Sequence, residues 1–342
     1  MNKLPDSVTR LHNLRYLGIR STLIEELPRN LGKLQKLQTL DAKLSMVRRL
    51  PSSTGKLKNL RHLIVFTRHT ADFWEPFPGT VVGAPGGLDN LTSLQTLKYV
   101  QADEKMVRSL AKLQRMRSLE LSGLDARYTT DLLFSISRMS FLVRLGLEME
   151  PGANKVLDLE PIDQPPRKLQ KLALTGRLAR GKLPSWINSL TSLVQLRLFR
   201  SDVGQDSLML LAALPSLVNL SLISAYNDRN MIFPGGSFST LQKLTLQDLP
   251  NLSCIEFKQG CLVNLSKLVL GMCMELTETP QGMAGLKQLQ NLEVFGMPTE
   301  FVQKLKEQNG DAGYYKPASS EFDRGHQAPR PSRYLRWFER NK

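Results

Sequence analysis

Few residues in this sequence have the types and spacings that covalent chemistry needs. "STGKLK", from Ser53, contains the Gly-Lys pair of a phosphate-binding loop. That loop reads G-x-x-x-x-G-K-[ST], so that backbone N–H groups cradle phosphates and the last hydroxyl meets magnesium. Around Gly55 and Lys56 the earlier glycine and the following hydroxyl residue are both missing. Cys254, Cys261 and Cys273 are too widely spaced for a zinc site, and His12, His62, His69 and His326 are remote from them. Asp103-Glu104 and Asp158–Glu160 fall between predicted strands and read as solvated charge. There is no kinase motif set, no G-x-S-x-G elbow and no H-E-x-x-H. No enzyme, cofactor or metal is therefore expected. The sequon-like Asn90, Asn219, Asn251 and Asn264 arise from a repeated frame, and no secretory leader precedes them. Free thiols and the lack of a leader predict a cytoplasmic protein. No stretch approaches the roughly 18 apolar residues of a membrane span.

The elements that must position any functional residue come from a repeat. "LHNLRYLGI" at Leu11 returns as "LQKLQTLDA" at Leu34 and "LKNLRHLIV" at Leu57. Later copies start at Leu91, Leu113, Met139, Pro166, Leu190, Leu214, Phe238, Leu262 and Leu286, making twelve. A period of about 20–29 residues with an L-x-x-L-x-x-L-x-L frame is the leucine-rich-repeat signature. Its final L-x-L is a short strand, and the earlier leucines belong to the turn that feeds it. One repeat cannot bury its apolar face alone, so repeats stack. The predicted fold is an α/β repeat solenoid over residues 1–305. It is a leucine-rich-repeat horseshoe with a concave parallel β-sheet and irregular convex returns. In this reading Leu11, Leu14, Leu17 and Ile19 are all core. Returns marked Leu4-Pro5, Leu27-Pro28, Leu50-Pro51, Leu183-Pro184 and Thr279-Pro280 are tight and irregular. "EKMVRSLAKL" at Glu104 and "TTDLLFSISRM" at Thr129 have helical apolar spacing.

Two segments break the period. Residues 66–88 form a surface-loop insertion rich in Pro and Gly, and contain Phe73, Trp74 and Phe77. These aromatics either pack the loop onto the solenoid or form a contact patch. Residues 306–342 read as a basic, mostly disordered tail, with Arg330, Arg333, Arg336 and Arg340 around Tyr334, Trp337 and Phe338. The tail is read as frayed, and no nucleic-acid partner is expected. Only ten residues precede Leu11, and an end repeat normally carries a polar cap, so the first repeat reads as an interior one.

Formal charge is +15 over 342 residues, and it is uneven. Residues 1–200 hold 32 Lys and Arg against 17 Asp and Glu, whereas residues 201–300 hold 5 against 9. A basic bias of this kind suits nucleic acid, an acidic membrane surface, an acidic protein partner or simply a solvated basic surface. What remains for function is the outward face of the strands, because solenoids bind through their concave side. Candidate protein-binding residues there are Tyr16, Arg20, Lys43, Lys98, Glu120, Arg144, Glu148, Lys171, Arg197, Phe199, Lys243, Lys267, Glu293 and Phe295. They vary in chemistry while their inward neighbours stay apolar.

"GLDNLTSLQTLKYVQADEKMVRSLAKLQRMRSLEL" (87–121), "SRMSFLVRLGLEM" (137–149) and "GRLARGKLPSWINSLTSLVQLRL" (176–198) carry a more specific likeness. So do "LPSLVNLSLISAYN" (214–227) and "MPTEFVQKLKEQNGDAGYY" (297–315). Together, over roughly residues 1–315, they resemble the repeat region of plant intracellular nucleotide-binding leucine-rich-repeat disease-resistance proteins, best the coiled-coil class of grasses. The resemblance implies recognition of a pathogen effector or a guarded host protein. It also implies contact with, and restraint of, a nucleotide-binding switch domain, in cis or in trans. The coiled coil and switch are absent from this sequence, so no nucleotide-binding residue carries over. Early repeats of such proteins face the switch, which suggests that Arg20, Lys43, Arg48 and Arg49 dock an acidic switch surface. The alternatives are an intracellular leucine-rich-repeat scaffold or a ubiquitin-ligase substrate adaptor.

Overall fold

The computed structural model describes residues 2–67, 82–150, 152, 155–162, 164–309 and 315–317. Phe73, Trp74 and Phe77, and the aromatic-basic end of the tail, lie outside the described residues. The strands are β1 (Tyr16–Gly18), β2 (Thr39–Ser45), β3 (His62–Thr67), β4 (Val82–Gly83) and β5 (Thr96–Gln101). Next come β6 (Ser118–Leu124), β7 (Arg144–Met149), β8 (Lys171–Thr175), β9 (Gln195–Phe199) and β10 (Asn219–Ile223). The last are β11 (Asn230–Phe233), β12 (Lys243–Gln247), β13 (Cys254–Phe257), β14 (Lys267–Gly271), β15 (Asn291–Phe295) and β16 (Tyr315–Pro317). One 14-stranded parallel sheet runs in chain order, with β4 beside β5, while β11 and β13 pair separately on the return side. The expected solenoid with its parallel sheet is the observed one.

The frame explains the sheet. Within each L-x-L the leucines point inward and are sealed by the repeats on either side. Leu40, Leu63, Leu97, Leu196, Leu220, Leu244 and Leu268 have no exposed surface. Each strand also starts the same way. The Arg15 carbonyl accepts from Gln38 N and Thr39 N at 2.8 and 3.0 Å, and Gln38 O does the same for Arg61 and His62 at 2.8 and 3.0 Å. Strands end in a left-handed residue that turns the chain out of the sheet. From Gly176 it recurs at Arg200, Ser224, Asp248, Met272 and Gly296, all with positive φ.

The returns are short 3-10 turns or helices. Pro5, Pro51 and Pro184 directly precede the turns Asp6–Arg10, Ser52–Lys56 and Ser185–Ser189, where a fixed φ and missing N–H suit the first turn. Helices α1 (Glu104–Leu110) and α2 (Thr129–Ser137) form where apolar spacing predicted them. Two more, α3 (Gln205–Ala212) and α4 (Thr299–Asn309), were not anticipated. Helix α4 buries Phe301 and Leu305 and runs past the expected boundary at 305, and β16 pairs with β15 beyond it. Leu11, expected in the core, is 54% exposed, and Leu14 is only partly buried. No described residue packs on the outer side of their repeat, whereas the equivalent Leu34 and Leu37 lie between two neighbours and are fully buried.

Candidate protein-binding face

The residues with chemical promise turn out to be structural. Ser53 Oγ donates to Arg29 O at 2.7 Å and accepts from Gly32 N at 3.1 Å, tying two repeats. A Cβ on Gly55 would lie 2.0 Å from Gly86 O, so this glycine serves repeat stacking. Asp103 Oδ1 caps α1 by accepting from Met106 N at 2.8 Å. Glu160 accepts from Ser185 N at 2.9 Å and from Ser185 Oγ, and these bonds hold its carboxyl below the ordinary range. Asn264 Nδ2 donates to Ser239 O at 2.7 Å in the preceding repeat. Burial pushes the Cys273 thiol up to about 11 and raises that of Cys261 also, which works against thiolate nucleophiles. Among the described residues no cluster of His, Cys, Asp or Glu is arranged to hold a metal.

The outward strand positions fall into rows across the sheet, fixed by the register. The first row is Tyr16, Thr39, His62, Thr96, Ser118, Arg144, Lys171, Gln195, Asn219, Lys243, Lys267 and Asn291. Beside it the second runs Gly18, Asp41, Ile64, Lys98, Glu120, Gly146, Ala173, Arg197, Ser221, Thr245, Val269 and Glu293. A third row, from β7 onward, is Glu148, Thr175, Phe199, Ile223, Gln247, Gly271 and Phe295. Thus all the predicted site residues on the strands share one face, with Arg20 and Lys43 at its first edge.

Their environments differ. Lys98 Nζ and Glu120 Oε1 form a half-buried ion pair at 2.6 Å. Lys267 and Glu293 pair likewise. Arg20 lies 3.7 Å from the buried Asp41 carboxylate, which also accepts from Lys43 N at 3.1 Å. Tyr16 is 57% exposed, and its ring lies where a Cβ on Gly18 would clash at 2.6 Å. Phe295 occupies the same relation to Gly271, at 2.3 Å. Phe199, expected as an exposed contact, is buried instead, with the Arg200 guanidinium 4.4 Å above its ring. Its β-strand position ends the L-x-L, where the turn folds Arg200 back across it.

Sequence reasoning missed Tyr99. It is the extra residue of a β-bulge between Lys98 and Val100, with φ of 60°. Its ring stacks 4.8 Å from Phe66, and burial, with the Glu120 charge and hydrogen bond, raises its phenol well above the ordinary value. On the convex side Phe134 and Phe141 are exposed under Arg138 and Lys168, 5.5 and 5.1 Å from the ring centres. No helix among the described residues is long and apolar enough to cross a membrane.

Comparison with known proteins agrees with this architecture. "Disease resistance protein RPM1" of Arabidopsis thaliana is 30% identical over 252 residues, covering 72% of this chain and 26% of that protein. "Disease resistance protein Pik-2" of Oryza sativa subsp. japonica is 28% identical over 156 residues, covering 43% of this chain and 15% of that protein. The chain thus spans about a quarter or less of the length of these relatives. A solved leucine-rich-repeat protein of Leptospira interrogans shares the fold at a TM-score of 0.53 and 19% identity, over 90% of this chain and 79% of that one. A family model described as a leucine-rich repeat region matches residues 3–309, and the chain belongs to that family.

Proposed function

We propose that this chain is the non-catalytic recognition module of a plant disease-resistance protein of the coiled-coil, nucleotide-binding class. Its concave face binds a pathogen effector or a guarded host protein in the cytoplasm. Its first repeats, through Arg20, Lys43, Arg48 and Arg49, contact a nucleotide-binding switch domain and restrain it. One observation carries the reading. Outward positions of a single sheet change chemistry from strand to strand, while the inward leucines between them stay constant and buried. A purely structural sheet gains nothing from that contrast, whereas a recognition face uses it. The disease-resistance names of its relatives supply the biological setting.

The test is proximity labelling in infected leaf tissue. The wild-type chain is compared with a concave variant, Tyr16→Ser, Glu120→Lys, Glu293→Lys, and a convex variant, Phe134→Ser, Phe141→Ser. The expected result is an effector or host protein labelled by the wild type and the convex variant and lost from the concave one. Loss from the convex variant alone would overturn the assignment of the face.

A further inference from the structure

Two ion pairs neutralise charge within the concave sheet, Lys98–Glu120 and Lys267–Glu293, and one group of cations stands between them. Arg144 and Lys171 are register partners on β7 and β8, Arg197 follows on β9, and Lys243 stands on β12. All four are exposed. The Gln195 side-chain amide lies 2.8 and 3.2 Å from the Arg197 guanidinium, and with its oxygen turned towards the arginine it is a neutral acceptor. Among the described residues none of the four forms an ion pair with a carboxylate. The Lys243 ammonium is held below its ordinary pKa by partial burial and then by the Lys267 charge, with Arg197 adding and Glu293 opposing. Such an array repels itself in the free protein and gains when carboxylates enter it.

The floor beneath the array is low. Second-row neighbours Gly146 and Ala173 offer nothing larger than a methyl between Glu120 and Arg197, and Ser221 and Thr245 continue it. The window is bounded by two internally neutralised pairs, Lys98–Glu120 on one side and Lys267–Glu293 on the other. From β7 to β12 it crosses five strands of the sheet, about 20 Å at the usual strand spacing. An extended chain covers that in about six residues. Glu120 and Glu293 at the two ends would repel a continuous polyphosphate backbone, but they leave room for a short run of carboxylates. Resting on the reading of this face as a protein-recognition surface, we infer that the β7–β12 cleft binds a short acidic protein segment, whose carboxylates pair with Arg144, Lys171, Arg197 and Lys243.

The test uses the full chain and fluorescence anisotropy with a labelled octaglutamate peptide, octaglutamine and a ten-base oligothymidylate. Octaglutamate should bind in a salt-sensitive way and octaglutamine should not. The pairs Arg144→Gln, Lys171→Gln and Arg197→Gln, Lys243→Gln should each weaken octaglutamate at least tenfold, with unchanged thermal unfolding. Two controls of equal charge change, Arg29→Gln, Lys36→Gln in the first repeats and Arg333→Gln, Arg336→Gln in the tail, should leave it within twofold. Equal weakening by the controls would overturn the proposal, since the binding would then follow net charge alone. Oligothymidylate binding as tightly as octaglutamate, and lost in the same cleft variants, would overturn the protein assignment in favour of phosphate. Loss of the cleft's selectivity with the labelled partner of the concave face retained would defeat this inference alone and leave the functional reading standing.

Discussion

A leucine in this chain has the value its neighbours give it. Leu244 has no exposed surface and lies between the strands of two repeats, whereas Leu11 fills the same kind of frame and is 54% exposed. Leu244→Ala removes buried methyls and leaves a cavity, so it should cost about 2–5 kcal/mol in urea unfolding. Leu11→Ala should cost less than about 1 kcal/mol, because most of its surface already meets water. Similar losses at both sites would mean that Leu11 is buried in solution. The same contrast governs the polar residues. Glu160 and Asp103 read as solvated charge in the sequence, yet both accept from backbone N–H groups. The residue types were plain in the sequence. Their partners, drawn from another repeat or another turn, were not.

At the scale of elements, the strand ends hold the local strain. Asp248 sits at φ 51° in the recurring left-handed position and accepts from Ser224 Oγ at 2.5 Å. Asp and Asn tolerate this conformation better than branched residues. Asp248→Val should therefore lose about 1–3 kcal/mol of stability by thermal unfolding, and Asp248→Asn should stay within about 0.5 kcal/mol. Equal losses would locate the cost in the carboxylate and not in the backbone. The glycines at Gly176 and Gly296 mark both ends of this series, and a 24-residue period between them was legible in the sequence. Helix α3 was less legible. Its buried Leu208 and Leu211 continue an apolar run into the next repeat's leucines, so the helical period does not separate from the repeat period.

For the whole molecule, each repeat touches only its neighbours, so protection from unfolding should grade along the chain. Leu17, in a strand paired only with β2, should exchange its amide at least about 100-fold faster than Leu196, which lies between β8 and β10. Hydrogen exchange read by mass spectrometry checks this. Uniform protection would show that the solenoid opens as one cooperative body. Charge is likewise a property of the whole. The positive excess is spread over the first two hundred residues, but stacking brings Arg144, Lys171 and Arg197 from that stretch onto one face with Lys243 from beyond it.

By itself the amino-acid sequence determined the period, the inward leucines and the face on which the outward residues stand. A two-residue alternation inside a fixed repeat leaves a strand no other way to bury its apolar side. Only the tertiary structure decided which of those outward residues are available. Lys98 finds Glu120 and Lys267 finds Glu293 on the next strand, Arg200 closes over Phe199, and Tyr99 bulges out of its row. Each outcome depends on side-chain reach and local backbone irregularity between residues brought together by stacking. A pattern read within one repeat does not contain that information.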